Sequence, residues 1–106
     1  MDLADLFKQA KDAQAKAAAM QEQLGLIEAE GMAGGGLVRL VLSGKAELKT
    51  LSIDASLLRP EGREIIQDLV LAAHRDAKAK VERRVGEEMQ KLAQDMGLPP
   101  GLGMGG

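Results

Sequence analysis

A chain of 106 residues with 45% hydrophobic and 28% charged side chains has the make-up of one folded domain. It has no cysteine and a single histidine, which excludes disulfides, thiolate metal sites and histidine clusters. The formal net charge is −2, and Phe7 is the only aromatic side chain, which rules out a base-stacking platform for single-stranded nucleic acid. No apolar run is long enough to span a bilayer. The acidic start MDLADLF lacks the basic and apolar segments of a secretory signal, and the expected compartment is the cytoplasm.

Asp2 to about Gly25 reads as a helix. Leu3, Leu6, Ala10, Ala13, Ala17, Met20 and Leu24 recur at alternating steps of three and four, which is a heptad seam. Such a helix is about 35 Å long, too long to bury its seam on a small sheet alone. Gly25 suits the helix end. Leu26, Ile27 and Ala29 then alternate in part with glutamate and predict a short edge strand ahead of a glycine cluster. Leu37 to Ser43 and Ala46 to Ile53 read as two strands, joined by a tight turn at Ser43-Gly44 or Gly44-Lys45. Val38, Leu40 and Leu42 are expected on one face with Leu51 and Ile53, and Val41 is expected to meet Leu48 on the other.

Asp54 to Arg59 is a connecting turn, and Pro60 suits the first position of a helix running from about Glu61 to Met96. Its inner stripe is Ile66, Leu69, Val70, Ala73, Ala77 and Val81, continued by Val85, Met89, Leu92 and Met96. Gly86 is a weak point at which a bend or fraying is expected. Residues 98–106 have too little apolar content to pack and are expected to form a flexible tail. The whole is an α+β fold in one domain over residues 1–97: long helix, three-stranded antiparallel sheet, long helix. Both helices overrun the sheet with apolar seams to spare. Exposed seams of that length require a partner, and the simplest is a second copy related by two-fold symmetry.

The cluster in "EGMAGGGLVRLVLSG", Glu30 to Gly44, invites comparison with phosphate-binding loops. A P-loop needs G-x-x-x-x-G-K-[ST], but Gly44-Lys45 is followed by Ala46, and Arg39 stands where the first glycine belongs. The dinucleotide pattern fails too, because Arg39 also takes the last glycine position after Gly34 and Gly36. Both motifs lead into a helix, whereas this cluster leads into a strand. It reads as a flexible entry to the hairpin. No catalytic group emerges either. His74 has none of the serines Ser43, Ser52 and Ser56 near it in sequence, and Asp54 suits a turn. The expectation is no enzyme, no cofactor and no metal.

The basic residues are more informative. The second helix carries Arg75, Lys78, Lys80, Arg83 and Arg84 beside His74, against only Asp76 and Glu82 in that stretch. The first helix adds Lys8, Lys11 and Lys16. Helical spacing makes neighbours of Lys8 and Lys11, of Arg75 and Lys78, and of Lys80 with Arg83 and Arg84. These rows fit either a solvated face with intrahelical salt bridges or a phosphate backbone.

Three segments in register resemble a known family. "GGGLVRLVLSGKAELKTLSIDASLL" (Gly34 to Leu58), "DLVLAAHRDAKAK" (Asp68 to Lys80) and "MGLPPG" (Met96 to Gly101) are similar in order and spacing to the YbaB/EbfC family of bacterial nucleoid-associated proteins. Ala55 replaces the proline of the family's I-D-P-S-L-L turn, and Arg75 replaces the asparagine of A-A-x-N-D-A. The resemblance implies a tweezer-like homodimer whose long helices project from a joined central sheet. It also implies double-stranded DNA binding with weak to moderate preferences, effects on nucleoid organisation and gene expression, and no enzyme activity. All eight basic residues above are then candidates for phosphate contact. The alternative is a dimeric helical adaptor that binds other proteins through the seam of Val85, Met89, Leu92 and Met96.

Overall fold

A computed structural model describes residues 2–95 and 97. Helix α1 (Leu3–Gly25) leads to strands β1 (Glu28–Ala33), β2 (Val38–Ser43) and β3 (Leu48–Ile53), then through two short 3-10 turns to helix α2 (Arg63–Asp95). The strands form one antiparallel sheet in the order β1-β2-β3. The expected α+β architecture is therefore present. The tail 98–106, expected to be flexible, lies outside the described residues, as does Met96 at the end of the expected stripe.

The Asp2 carboxylate caps α1 by accepting a hydrogen bond from the Asp5 backbone N–H at 2.9 Å. None of the 23 residues of α1 is buried. Its contacts with the body lie in its last turn, where Gln23 donates to Glu88 at 3.3 Å and the Leu24 carbonyl sits directly over Gly44. The heptad seam thus faces solvent in the single chain from Leu3 to Ala17, with Leu3 and Leu6 well exposed and Phe7 exposed beside them, and only Met20 and Leu24 near the root are partly buried.

Helix α2 runs unbroken from Arg63 to Asp95, so Gly86 does not fray it. It lies across β1 and β2 and leaves β3 uncovered. The core is Ala29, Val38, Leu40 and Leu42 from the sheet, Ala73, Ala77 and Val81 from the helix, and Leu57 from the connection. Ile66, Leu69, Val70 and Val85 pack around it, as the predicted stripe requires.

The structure moves β1 towards the C-terminus of its expected place. The strand is not built on Leu26 and Ile27 but on Glu28–Ala33, and it includes the first glycine of the cluster. Ala29, Gly31 and Ala33 face α2, while Glu28, Glu30 and Met32 face away. At Gly31 the helix backbone comes down onto the strand. A Cβ there would overlap the Ala73 carbonyl oxygen, the Ala77 amide nitrogen and the Ala77 methyl. Only a strand and a helix that both carry minimal side chains can approach so closely. Gly34, Gly35 and Gly36 then turn the chain through three successive positive φ angles of 65°, 70° and 96°. The cluster is structural, as expected, and serves two purposes, a close contact and a turn.

The hairpin register is corrected at one point. Val38 pairs with Ile53 and Leu40 with Leu51, as the alternation predicts, but Val41 pairs with Thr50 and Leu48 with Leu42. A bulge between Val41 and Leu42 shifts the end of β3 by one residue. The turn is also longer than a two-residue hairpin. The buried Ser43 hydroxyl accepts from the N–H groups of Lys45 and Glu47, each at 3.2 Å, and Ala46 takes φ 64°.

Replacement of Gly31 by alanine should lower stability by about 2–3 kcal/mol, the upper part of the range for core overpacking, because backbone cannot yield as a side chain does. Gly35→Ala, which meets nothing within 4 Å, should cost only about 1 kcal/mol, for its positive φ. Denaturant unfolding of the two variants checks the order; equal losses would place the tight contact elsewhere.

Candidate nucleic-acid interface

Because α2 turns Ala73, Ala77 and Val81 to the sheet, its remaining faces carry the charge. The basic residues do not act as one patch. At 100° per residue, Arg75 and Lys78 lie about 60° apart, whereas Arg83 lies about 140° from Lys78. All three are exposed. Lys78, His74 and Glu82 border an open, apolar groove floored by Leu42, Val81 and Val85.

Lys80 and Arg84 belong to a different arrangement. The Lys80 ammonium donates to the Glu30 backbone carbonyl at 3.2 Å and to the Asp76 carboxylate at 3.0 Å. Arg84 donates to the Glu28 carbonyl. Asp76 in turn accepts from the Met32 backbone N–H at 3.0 Å. Three side chains spaced four apart on α2 thus serve three residues spaced two apart on β1. The spacing works because four helical residues rise about 6 Å and two strand residues about 6.6 Å. The Lys80 ammonium, followed by the Met32 N–H, holds the Asp76 carboxyl below its ordinary value of 3.8.

On α1, Lys8, Lys11 and Lys16 are exposed. Lys8 and Lys11 are neighbours one turn apart, but Lys16 is turned about 140° from Lys11. The molecule is extended, 69 Å along its greatest dimension. The long helices therefore display their charge over a length several times the sheet's width rather than in a cleft.

Other candidates resolve into local structure. Asp54 caps the following 3-10 turn by accepting from the Ser56 N–H at 3.0 Å and from the Ser56 hydroxyl. The hydroxyl, then the N–H, lowers its pKa from 3.8. His74 is exposed beside the groove. Among the described residues, no three His, Cys, Asp or Glu side chains gather into a metal site, and no helix is long and apolar enough to cross a membrane. Sequence reasoning missed the bonds between α2 side chains and the β1 backbone. The i, i+4, i+8 spacing of Asp76, Lys80 and Arg84 was visible, but their partners lie on a strand placed too early in the chain.

The arrangement is that of a small α+β protein that offers helix-borne charge on an extended body. Comparison with known proteins makes the class specific. The model of the YbaB/EbfC DNA-binding family matches residues 1–96, and the chain belongs to that family. It is 48% identical over 104 residues to a nucleoid-associated protein of Rhodopseudomonas palustris, covering 98% of both chains. It is 50% identical over 101 residues to one of Mesorhizobium japonicum, covering 95% of this chain and 94% of the other. The crystal structure of an uncharacterized protein from Helicobacter pylori superposes with a TM-score of 0.64 at 28% identity, covering 91% of this chain and 97% of that one. These likenesses support a nucleoid DNA-binding role.

Asp76 gives a pH test of the α2–β1 attachment. A carboxyl whose native pKa is depressed stabilises the fold fully above its unfolded value and loses that contribution as pH falls through the native value. The stability difference between the wild type and Asp76→Asn should therefore be constant near neutrality and shrink on acidification below about 3.8. Urea titrations from neutral pH down through the unfolded value and into the acid limb measure it. A difference that does not change with pH would show that the carboxylate charge is irrelevant there.

Proposed function

We propose that two copies of this chain join through β3 and bind double-stranded DNA through its phosphates, with low to moderate sequence specificity, contributing to nucleoid organisation and the regulation of gene expression. The observation that carries this reading is the family match along residues 1–96, on a body whose two long helices carry most of its exposed cations. Nothing in it requires catalysis, a cofactor or a small-molecule substrate.

The dimer is supported by what the single chain leaves open. Strand β3 is exposed along its length except at Ile53, and Leu48 and Leu51 stand 54% and 47% exposed on it. Pairing β3 with its symmetry mate would join two three-stranded sheets into one of six strands. The helices would then project from it as the arms of tweezers. It would also cover apolar surface that a monomer has no reason to keep.

Within this reading, Arg75, Lys78 and Arg83 on α2, with Lys8, Lys11 and Lys16 on α1, reach phosphate. Lys80 and Arg84 are engaged with β1 and supply field rather than direct contacts. The net charge of −2 per chain sets a repulsive background that keeps binding weak, and the phosphate contacts, by releasing counterions, make it fall with salt. The adaptor alternative loses ground because its seam is largely spent. Val85 and Leu92 are half-buried, and Met89 remains as the exposed member among the described residues.

Titrating a labelled duplex at several salt concentrations, against the single strand of the same sequence, tests the DNA reading. Affinity for the duplex should exceed that for the single strand. Each of Arg75→Ala, Lys78→Ala and Arg83→Ala should weaken binding to all duplexes alike and reduce the log–log salt slope by about 0.9 for each phosphate no longer neutralised. No binding at low salt would sink the proposal and leave the adaptor. The dimer is tested separately by light scattering. A mass about twice the 11.2 kDa of the chain is expected, with Leu51→Glu shifting it towards one copy; an unchanged mass in that variant would move the interface away from β3.

A further inference from the structure

A three-stranded sheet has two edges, and the two edges of this one are treated differently. Exposed strand edges invite other strands, and proteins blunt them with charged side chains, lysine above all. On β1 the antiparallel pattern turns the backbone groups of Ala29, Gly31 and Ala33 inward to β2 and those of Glu28, Glu30 and Met32 outward. Each of these three outward residues has a backbone group taken by α2: the Glu28 carbonyl by Arg84, the Glu30 carbonyl by Lys80 and the Met32 N–H by Asp76. The chemistry is matched at every rung, with cations on carbonyls and a carboxylate on the amide. Lys80 and Asp76 are further joined to each other at 3.0 Å. On β3, among the described residues, no such ladder closes the outer edge, and the strand lies exposed.

We propose that Asp76, Lys80 and Arg84 form an edge seal that confines strand addition between copies to β3, so that assembly stops at two. With one open edge per copy, pairing two like edges about a two-fold axis uses up every edge, and the assembly closes. With two open edges per copy, a second pairing across β1 would follow, and sheets would add end to end without a stopping point. The seal also explains why cations on a helix of a DNA-binding family protein are turned to backbone carbonyls of their own chain. The consequence for closure at two rests on the β3 dimer proposed above; the occlusion of β1 does not.

The test is sedimentation velocity and light scattering over a hundredfold range of protein concentration, on nucleic-acid-free wild type and on the variant Asp76→Ala/Lys80→Ala/Arg84→Ala. The wild-type mass should not rise beyond two copies. The variant should grow with concentration to four copies and more, with helical circular dichroism retained. A folded variant that never exceeds the wild-type mass overturns the seal. Should the triple variant fail to fold, Lys80→Ala/Arg84→Ala, which leaves Asp76 in place, is measured in the same way, and absence of growth there overturns it equally. A wild-type mass of one copy would count against the β3 dimer and not against the seal, which is judged only by growth of the variant relative to the wild type. Amide exchange gives a second reading: Met32 should exchange at least tenfold faster in Asp76→Ala, with Leu40 unchanged, and equal Met32 rates would remove that rung.

Discussion

The contact between α2 and β1 at Gly31 is the constraint on which the rest of the structure depends. Helix backbone rests against strand backbone, with Ala73 and Ala77 above and no side chain below. That closeness fixes the height of the helix over the sheet. Val38, Leu40 and Leu42 then fill the space beside the contact, and the core closes with small and medium side chains and no aromatic ring. Close packing of this kind tolerates little change in volume on either side. It also brings the α2 side chains near enough to the strand to reach round its edge, which a higher-riding helix could not do.

From that placement follows the asymmetry of the molecule. The helix sits over β1 and β2, so β3 has no cover and Leu48 and Leu51 remain in solvent. One side of the sheet is finished within the chain, and the other is not. The division of the cations follows from the same cause. Those on the flank nearest β1, Lys80 and Arg84, are drawn to its carbonyls, and Arg75, Lys78 and Arg83 on the other faces are exposed to solvent. Lys78 and Lys80 are near neighbours in sequence, yet they look in different directions from one helix, the first to the open groove and the second to the strand.

The long helices were legible because 3.6-residue periodicity over more than twenty residues is hard to imitate, and the inner stripe from Ile66 to Val81 stands where the sequence puts it. The β2–β3 pairing was legible for the same reason at period two. Strand β1 was not. Its buried face is Ala29, Gly31 and Ala33, small because the helix lies so near, and small residues carry almost no hydrophobic signal. Leu26 and Ile27 supplied a stronger pattern one step too early. The bulge at Val41/Leu42 and the Ser43-braced turn escaped because both depend on backbone geometry that apolar alternation does not encode. At the candidate interface, which residues are basic was evident from the sequence. Their division was not, because the partners of Lys80 and Arg84 are main-chain oxygens, which have no letter in a sequence.

Helix α1 is fastened only at its root, where the Leu24 carbonyl lies over Gly44 and Gln23 reaches Glu88. A rod about 35 Å long and held at one end is a lever. A tilt of about 5° at the root carries its tip roughly 3 Å, close to the axial rise of about 3.4 Å per base pair of a duplex. Lys8 and Lys11 stand near that tip. In the proposed complex with DNA, an arm so mounted would let its cations follow the phosphate backbone for a small change of angle, with little means of preferring one step of the duplex over its neighbour.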